Sequence, residues 1–497
     1  MIGDKVSEWL EEALMMAERR RKSVTGFRVV VEVEPGKVSE VSATLRRMGF
    51  KVIGTVSNFI VVDLKEPGDV DRVAKIPGVL YISYEKKFYP MAVGLDELVK
   101  RINIMTDPLL SKLSGGDLEK LGFTFRPASE IPNPFRAMIE NIETILKIAS
   151  NPFEAMKYLQ VAYPFGPPVL TRVPWRLVTH TRVLLGVPRD NQLSSRMTVG
   201  VIDSELVPHP AFRKRYDYIL LNEPLTMAHG QWVTTCAFGD PCPTRYGDFY
   251  PVASAASGRV VFVKVFGAFG GCSGYQVMKA MEICAKAGCK VVNMSLGGPL
   301  TEPVDKDPEC KLVNSLTEKY GTIFVIAAGN EDGSFEIGSP GAALKALTVA
   351  AADWKEKYKT SSYSSRGWQG QYYRKHKDVF EKHYEKWGDE FLKPDVTGIG
   401  GDIKSQIVAG ATLWYDGIFD FVPDGFECMT GTSMATPHIA GLVALAIDRG
   451  IPQNVDKIKE VLRATASGWI FGGEVMDGKS VEQGWGIFHW SRLRLRR

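Results

Sequence analysis

A chain of 497 residues with 45% hydrophobic and 24% charged side chains has ordinary globular composition and room for two or three domains, which excludes a disordered or fibrous protein. Its formal net charge of +4 is too small for that length to argue for nucleic acid, and the basic clusters at 19–22 and 492–497 read as solvated charge. No run approaches about 18 apolar residues, so no membrane span is expected, and the first 23 residues are too charged for a signal-peptide core, which leaves the compartment unknown.

Residues 4–20 carry Val6, Trp9, Leu10, Ala13 and Leu14 at helical spacing, with acids early and basic residues late. That pattern predicts an amphipathic helix needing a partner surface, either the adjoining domain or another protein or a membrane. From Phe27 the period changes. Strands are expected at 27–33, 50–55, 58–64 and 79–84, with helices at 37–48 and 69–76 between them, a βαββαβ, ferredoxin-like order over residues 26–92.

Residues 93–190 read as a helical insertion and linker, with helices at 95–104 and 109–121. A short repeat follows: Asn133-Pro134-Phe135 returns as Asn151-Pro152-Phe153, each an Asn cap with Pro at the first helical position. The repeat predicts an αα-hairpin, serving as a spacer or lid or as a docking element for a protein partner. Residues 164–168 read as a linker.

In residues 191–497 apolar strands are expected at 198–202, 260–265, 290–294, 322–327 and 346–351, separated by helices at 273–287 and 308–320. This βαβαβ alternation predicts a parallel sheet, with ligands beyond the carboxyl ends of its strands. Asp203, Ser295 and Asn330 fall at or just past such ends. The seven cysteines are an odd number and fall in no zinc-type spacing, so no metal site is assigned. Cys236 with Cys242, or Cys284 with Cys289, would close short disulfide loops; buried thiols are the alternative.

Thr430-Gly431-Thr432-Ser433-Met434-Ala435-Thr436-Pro437-His438 precedes the apolar run 442–446 and places Ser433 near a helix N-terminus, where N–H groups face whatever its hydroxyl attacks. Such a hydroxyl needs a base, and the base needs a group that fixes its tautomer. His229 opens a segment that reads as a helix over the sheet edge, and Asp203 at a strand end can accept its hydrogen bond. His438, five residues after Ser433, would point into packing and is read as structural.

The dozen residues from Thr430 resemble the nucleophile segment of the subtilisin-like serine proteases almost residue for residue, and the order Asp203, His229, Ser433 is that family's order. Ile326-Ala327-Ala328-Gly329-Asn330 is similar to its oxyanion segment and Asn293-Met294-Ser295-Leu296-Gly297-Gly298 to its substrate-pairing segment. Tyr363-Ser364-Ser365-Arg366-Gly367 and Leu392-Lys393-Pro394-Asp395-Val396 are supporting matches. The resemblance implies a doubly wound, mostly parallel α/β fold and a serine endopeptidase acting on polypeptides without a required cofactor. The Asn330 side chain and the Ser433 N–H would hold the oxyanion. Ser295, Leu296 and Gly297 would pair with substrate, and Ala327, Ala328 and Gly329 would line the pocket. The βαββαβ region would be an inhibitory propeptide, its tail around 87–93 lying in the cleft. Calcium often stabilises this family; the alternating Asp305, Asp307 and Glu309 are ligand-like, although a solvated loop is the plainer reading.

Three departures from the family pattern stand out. Glu205 replaces the glycine that usually follows the acid by two residues, Trp232 replaces a small residue after the histidine, and a polar insertion occupies 368–391. They leave open the alternative of a catalytically impaired scaffold or interaction protein.

Overall fold

The computed structural model describes residues 5–93, 95–123, 125, 174–213, 216–222, 228–244, 247–267, 270–356, 358–411, 425–466 and 474–493. The expected αα-hairpin and the linker at 164–168 lie outside these residues.

Ser7 starts helix α1 (Glu8–Arg19) by accepting the Leu10 N–H at 3.2 Å, and Glu8 and Glu11 complement the dipole of its first turn. Its apolar face, Trp9, Leu10, Ala13 and Ala17, is buried in the core of the domain that follows, so the partner surface is the adjoining domain. That domain contains β1 (Phe27–Val33), α2 (Val38–Arg47), β2 (Lys51–Val56), β3 (Phe59–Leu64), α3 (Asp69–Ala74) and β4 (Val79–Tyr84). The strands pair antiparallel in the order β2-β3-β1-β4, the ferredoxin-like topology.

Strand β5 (Lys87–Pro90) and helix α4 (Leu95–Thr106) come next. The single helix expected at 109–121 is broken into a 3₁₀ turn at Leu110–Lys112 and a short helix α5 (Gly115–Lys120). Ser114 and Asp117 exchange a reciprocal capping box that begins a new helix, and Gly115-Gly116 lacks the propensity to carry the old one through.

The larger unit opens with a short strand at Trp175–Leu177 and includes, in order, α6 (Val178–Leu184), β6 (Thr198–Asp203), β7 (Tyr216–Leu220), α7 (His229–Phe238), β8 (Arg259–Lys264) and β9 (Cys272–Ser273). It continues with α8 (Gly274–Lys286), β10 (Val291–Met294), β11 (Leu296–Gly297), α9 (Pro308–Tyr320), β12 (Ile323–Ala327) and β13 (Leu347–Ala352). The insertion forms α10 (Gln371–Lys375) and α11 (Lys377–Trp387), and β14 (Val396–Ile399), α12 (Thr432–Asp448) and α13 (Val455–Thr465) follow. Seven strands form one parallel sheet in the order β14-β13-β12-β10-β6-β8-β7. One core packs α7 and α12 on one face and a second packs α8 and α9 on the other, the doubly wound arrangement that apolar strands buried on both sides require. Strand β7 was not legible in the sequence because it is an edge strand whose Tyr-Asp-Tyr start is half-exposed rather than apolar.

Two sequence alternatives are decided by packing. All seven cysteines are free thiols. Asp307 and Glu309 do not lie in a solvated loop: both are fully buried around the Lys86 ammonium, which pairs with Asp307 and lies 2.9 Å from Glu309 Oε2, and Asp307 also caps α9 through the Cys310 N–H. No group of three or more His, Cys, Asp or Glu among the described residues is disposed to hold a metal ion, and no described helix is long and apolar enough to cross a membrane.

The supporting segment at 392–396 proves to be a buried charge cluster. Asp395 accepts from Lys393 Nζ at 2.7 Å and Lys479 Nζ at 2.9 Å, with Lys459 at 3.6 Å. Burial alone would raise its pKa, but the three ammonium groups hold it well below the usual carboxylate range. Asp395→Ala is expected to leave buried ammonium groups without a counter-charge, costing about 3–5 kcal/mol. The corresponding drop in thermal midpoint is roughly 5–15 °C, read by calorimetry; a midpoint within a degree of wild type would contradict it.

Candidate active site

Strand β6 delivers Asp203 to the carboxyl edge of the sheet, fully buried. Its Oδ1 accepts the Ser204 N–H at 2.7 Å and the His229 Nδ1–H at 2.8 Å. His229 is the first residue of α7, and the helix start is seated on the turn after Asp203. The Gly230 N–H donates to Ser204 Oγ at 2.8 Å, and a Cβ on Gly230 would come within 2.8 Å of the Glu205 carbonyl oxygen. Glu205 itself does not adopt positive φ, so this turn needs no glycine at 205. Its carboxylate is engaged by the Tyr218 hydroxyl of β7. Trp232 is absorbed into the core, its indole N–H donating to the Glu427 carbonyl at 2.9 Å.

Ser433 is the second residue of α12, after Gly431 at the cap. Its hydroxyl donates to the Ser295 carbonyl at 2.8 Å, and the Ser295 hydroxyl donates back to the Ser433 carbonyl at 2.9 Å. That carbonyl is available because Pro437, four residues on, brings no N–H to the helix ladder. His229 Nε2 is buried and makes no hydrogen bond to any described residue. The histidine is therefore oriented by Asp203, while the serine hydroxyl is turned to Ser295.

His438 ties α12 to its surroundings. Nδ1 donates to the Met434 carbonyl at 2.7 Å, Nε2 lies 2.7 Å from Thr181 Oγ1 of α6, and burial pushes its pKa down to about 4.

Asn330 follows β12. Its Oδ1 accepts the Thr432 N–H and hydroxyl, both at 2.9 Å, which aims Nδ2 away from Thr432 as a buried donor without a partner among the described residues. The other expected oxyanion donor, the Ser433 N–H, is occupied: it donates to the carbonyl oxygen of Met91 at 3.0 Å.

Met91 follows β5, and β5 lies between two strands of the larger unit. Phe88 and Lys87 pair antiparallel with β9, and Pro90 and Tyr89 with β11. The Met91 N–H donates to the Ser295 carbonyl at 3.2 Å and the Val93 N–H to the Thr430 carbonyl at 2.9 Å. The Met91 side chain packs with Tyr89, Val99 and Ala327, and a Cβ on Gly297 would come within 2.5 Å of its methyl. Gly431 is required for the same reason, since a Cβ there would land on the Met91 carbonyl oxygen.

Of the residues named from sequence, Ser295, Leu296 and Gly297 hold the backbone of this inserted strand, and Ala327 meets the Met91 side chain. Gly329 lines the adjoining cavity with Glu331, whereas Ala328 packs into the core beneath the sheet. Sequence reasoning missed Thr432, which orients Asn330, and the Thr430 carbonyl; Met91 falls within the tail expected around 87–93, although the sequence did not single out its carbonyl. Thr430 and Thr432 lay inside the recognised stretch; what hid them was that one acts through its backbone and the other through a residue about 100 positions away.

A parallel α/β sheet carrying a carboxylate, a histidine on a helix and a serine at a helix N-terminus, in that chain order, defines the subtilisin-like class of proteins. Residues 194–486 match the subtilase family, more than half of the chain, and the chain belongs to that family. It is 36% identical over 246 residues to pyrolysin of Pyrococcus furiosus, covering 47% of this chain and 17% of that protein. To the serine protease AprX of Bacillus subtilis it is 27% identical over 303 residues, covering 55% of this chain and 62% of that protein. The chain thus spans less than two thirds of the length of either relative. Among solved structures it resembles fervidolysin from Fervidobacterium pennivorans, a keratinolytic enzyme related to subtilisin, with a TM-score of 0.54 at 15% identity over 95% of this chain and 62% of that one, a likeness of fold.

Proposed function

We propose that the chain is a serine endopeptidase made as a zymogen, and that the first bond it cuts is its own Met91–Ala92. On this reading residues 26–92 are an inhibitory propeptide-like domain and 191–497 the catalytic domain. The observation that carries it is the Met91 carbonyl, which sits on the Ser433 N–H with its own strand paired on both sides, as a substrate carbonyl would.

In the reaction the Ser433 hydroxyl leaves the Ser295 carbonyl and rotates toward His229 Nε2. Its oxygen attacks the scissile carbonyl carbon while its proton passes to Nε2, and Asp203 holds Nδ1–H and stabilises the imidazolium. The oxyanion takes hydrogen bonds from the Ser433 N–H and Asn330 Nδ2. Collapse breaks the C–N bond, His229 returns the proton to the departing amine, and water then releases the acyl group by the same steps in reverse.

The orientation of the Ser433 hydroxyl supports a second reading, a subtilase fold that no longer cuts. Labelling with a fluorophosphonate separates the two, with mass spectrometry of the purified chain before and after incubation. The enzyme reading requires fragments ending at Met91 and beginning at Ala92, and label on Ser433. A chain that stays uncut on incubation, and that takes no label on Ser433 even when prepared free of the N-terminal domain, overturns it. Asn330→Ala is expected to lower kcat about 100- to 1000-fold with little change in KM, because its amide meets charge that develops only in the transition state.

A further inference from the structure

We propose that residues 95–123 and the insertion at 368–391 form a latch that keeps the N-terminal domain on the catalytic domain after Met91–Ala92 is cut, so that the cut product persists as a closed two-chain complex. This rests on the self-cleavage reading for the position of the cut. The first belongs to the helical insertion at 93–190 and the second is the polar insertion, and in the structure they meet.

A cut after Met91 leaves residues 92–123 attached to the larger fragment, yet their apolar side chains belong to the core of the smaller one. Ile104, Leu109, Leu118 and Leu121 share one buried cluster with Trp9 and Phe27. Polar contacts cross the same boundary: the Trp9 indole N–H donates to the Leu121 carbonyl at 3.0 Å, and the buried Tyr84 hydroxyl donates to Asp107 Oδ1 at 2.5 Å. Separating the fragments would expose apolar surface on both, which opposes release.

The insertion grips the same body from outside the cleft. The Lys375 ammonium donates to the Lys120 carbonyl, and His376 Nε2 lies 3.5 Å from the Glu8 carboxylate of α1. Gln371 packs so closely on Gly122 that a Cβ there would be 3.0 Å from its amide oxygen. At the cleft end, Lys100 Nζ donates to both carboxylate oxygens of Glu331, at 2.8 and 2.7 Å, one residue beyond Asn330. None of these four contacts is broken by the cut.

The test uses the full chain and a triple variant, Gln371→Ala with Lys375→Ala and His376→Ala, at positions none of which is buried. Wild-type protein showing a new N-terminus at Ala92 is passed over a size-exclusion column. Co-elution of 1–91 with 92–497, and an apparent dissociation constant raised about tenfold or more in the triple variant, support the latch. Free 1–91 in the wild type, or unchanged retention in the variant, overturns it. A second measurement does not depend on cutting: in the Ser433→Ala background, amide exchange at Met91 and Val93 is expected to quicken about tenfold in the triple variant, and unchanged exchange overturns the latch. If the wild type never yields an Ala92 terminus, the self-cleavage reading fails, and the exchange experiment alone decides the latch.

Discussion

Ser433→Ala is expected to abolish cutting at Met91–Ala92 and to lower turnover of a peptide substrate on the order of 10⁶-fold, the scale found when the nucleophile of subtilisin is removed. The fold should hardly notice. The substitution keeps the Ser433 N–H that binds the Met91 carbonyl and loses one buried hydrogen bond, 2.8 Å to the Ser295 carbonyl, which still accepts from the Met91 N–H. A loss of about 0.5–1.5 kcal/mol follows, a shift of no more than a few degrees in thermal midpoint. Mass spectrometry after prolonged incubation and a fluorogenic peptide assay measure the two effects. Continued scission in the variant, at a rate that dilution does not change, would remove Ser433 from the reaction.

The second large effect is expected at Lys86. Its ammonium is the counter-charge that the N-terminal domain supplies to Asp307 and Glu309, with Glu302 close by and likewise buried. Lys86→Met leaves those carboxylates without it while the domains stay together, and breaking a buried pair in this way costs about 3–5 kcal/mol. The grip on the N-terminal domain should weaken on the order of 100- to 1000-fold, seen as loss of 1–91 from the cut complex on size exclusion.

The same cluster gives docking a pH dependence. Burial, with the neighbouring carboxylates adding and Lys86 opposing, pushes Glu302 up to about 8 and Glu309 up to about 7, from an ordinary 4.5. Lifting the N-terminal domain away wets both groups and returns them toward that value. Their pKa is thus raised in the docked state, so docking takes up protons. The benefit is fully present below about 4.5 and is lost as pH rises through 7 and 8. Retention of 1–91 should be weaker at pH 9 than at pH 6, and equal retention at the two would show that the cluster does not govern release.

The parts of this molecule that were legible in the sequence are those whose signal is local. The apolar strand ending in Asp203, the Pro-led helix at Pro308–Tyr320 and the strands Phe27–Val33 and Val79–Tyr84 follow from period and punctuation, and the structure has them. The stretch containing Ser433 could be recognised because its chemistry needs many residues in one unbroken run. The acidic run at 305–309 was misjudged because its counter-charge, Lys86, lies more than 200 residues away and nothing nearby marks the site as buried. The orientation of the Ser433 hydroxyl was likewise beyond sequence reading, since it rests on the Ser295 carbonyl of a distant strand. Edge strand β7 escaped because a half-wetted strand carries no apolar run.

Strand β5 is the middle member of a three-stranded sheet whose outer members, β9 and β11, belong to the larger unit. Anything replacing it must arrive as an extended ribbon with main-chain groups bare on both edges for at least four residues. A helix, or a strand still paired with its own neighbours, has no such groups to offer. Attack on another protein would therefore wait on that protein's local opening, and the pace of digestion would report how often the target comes undone.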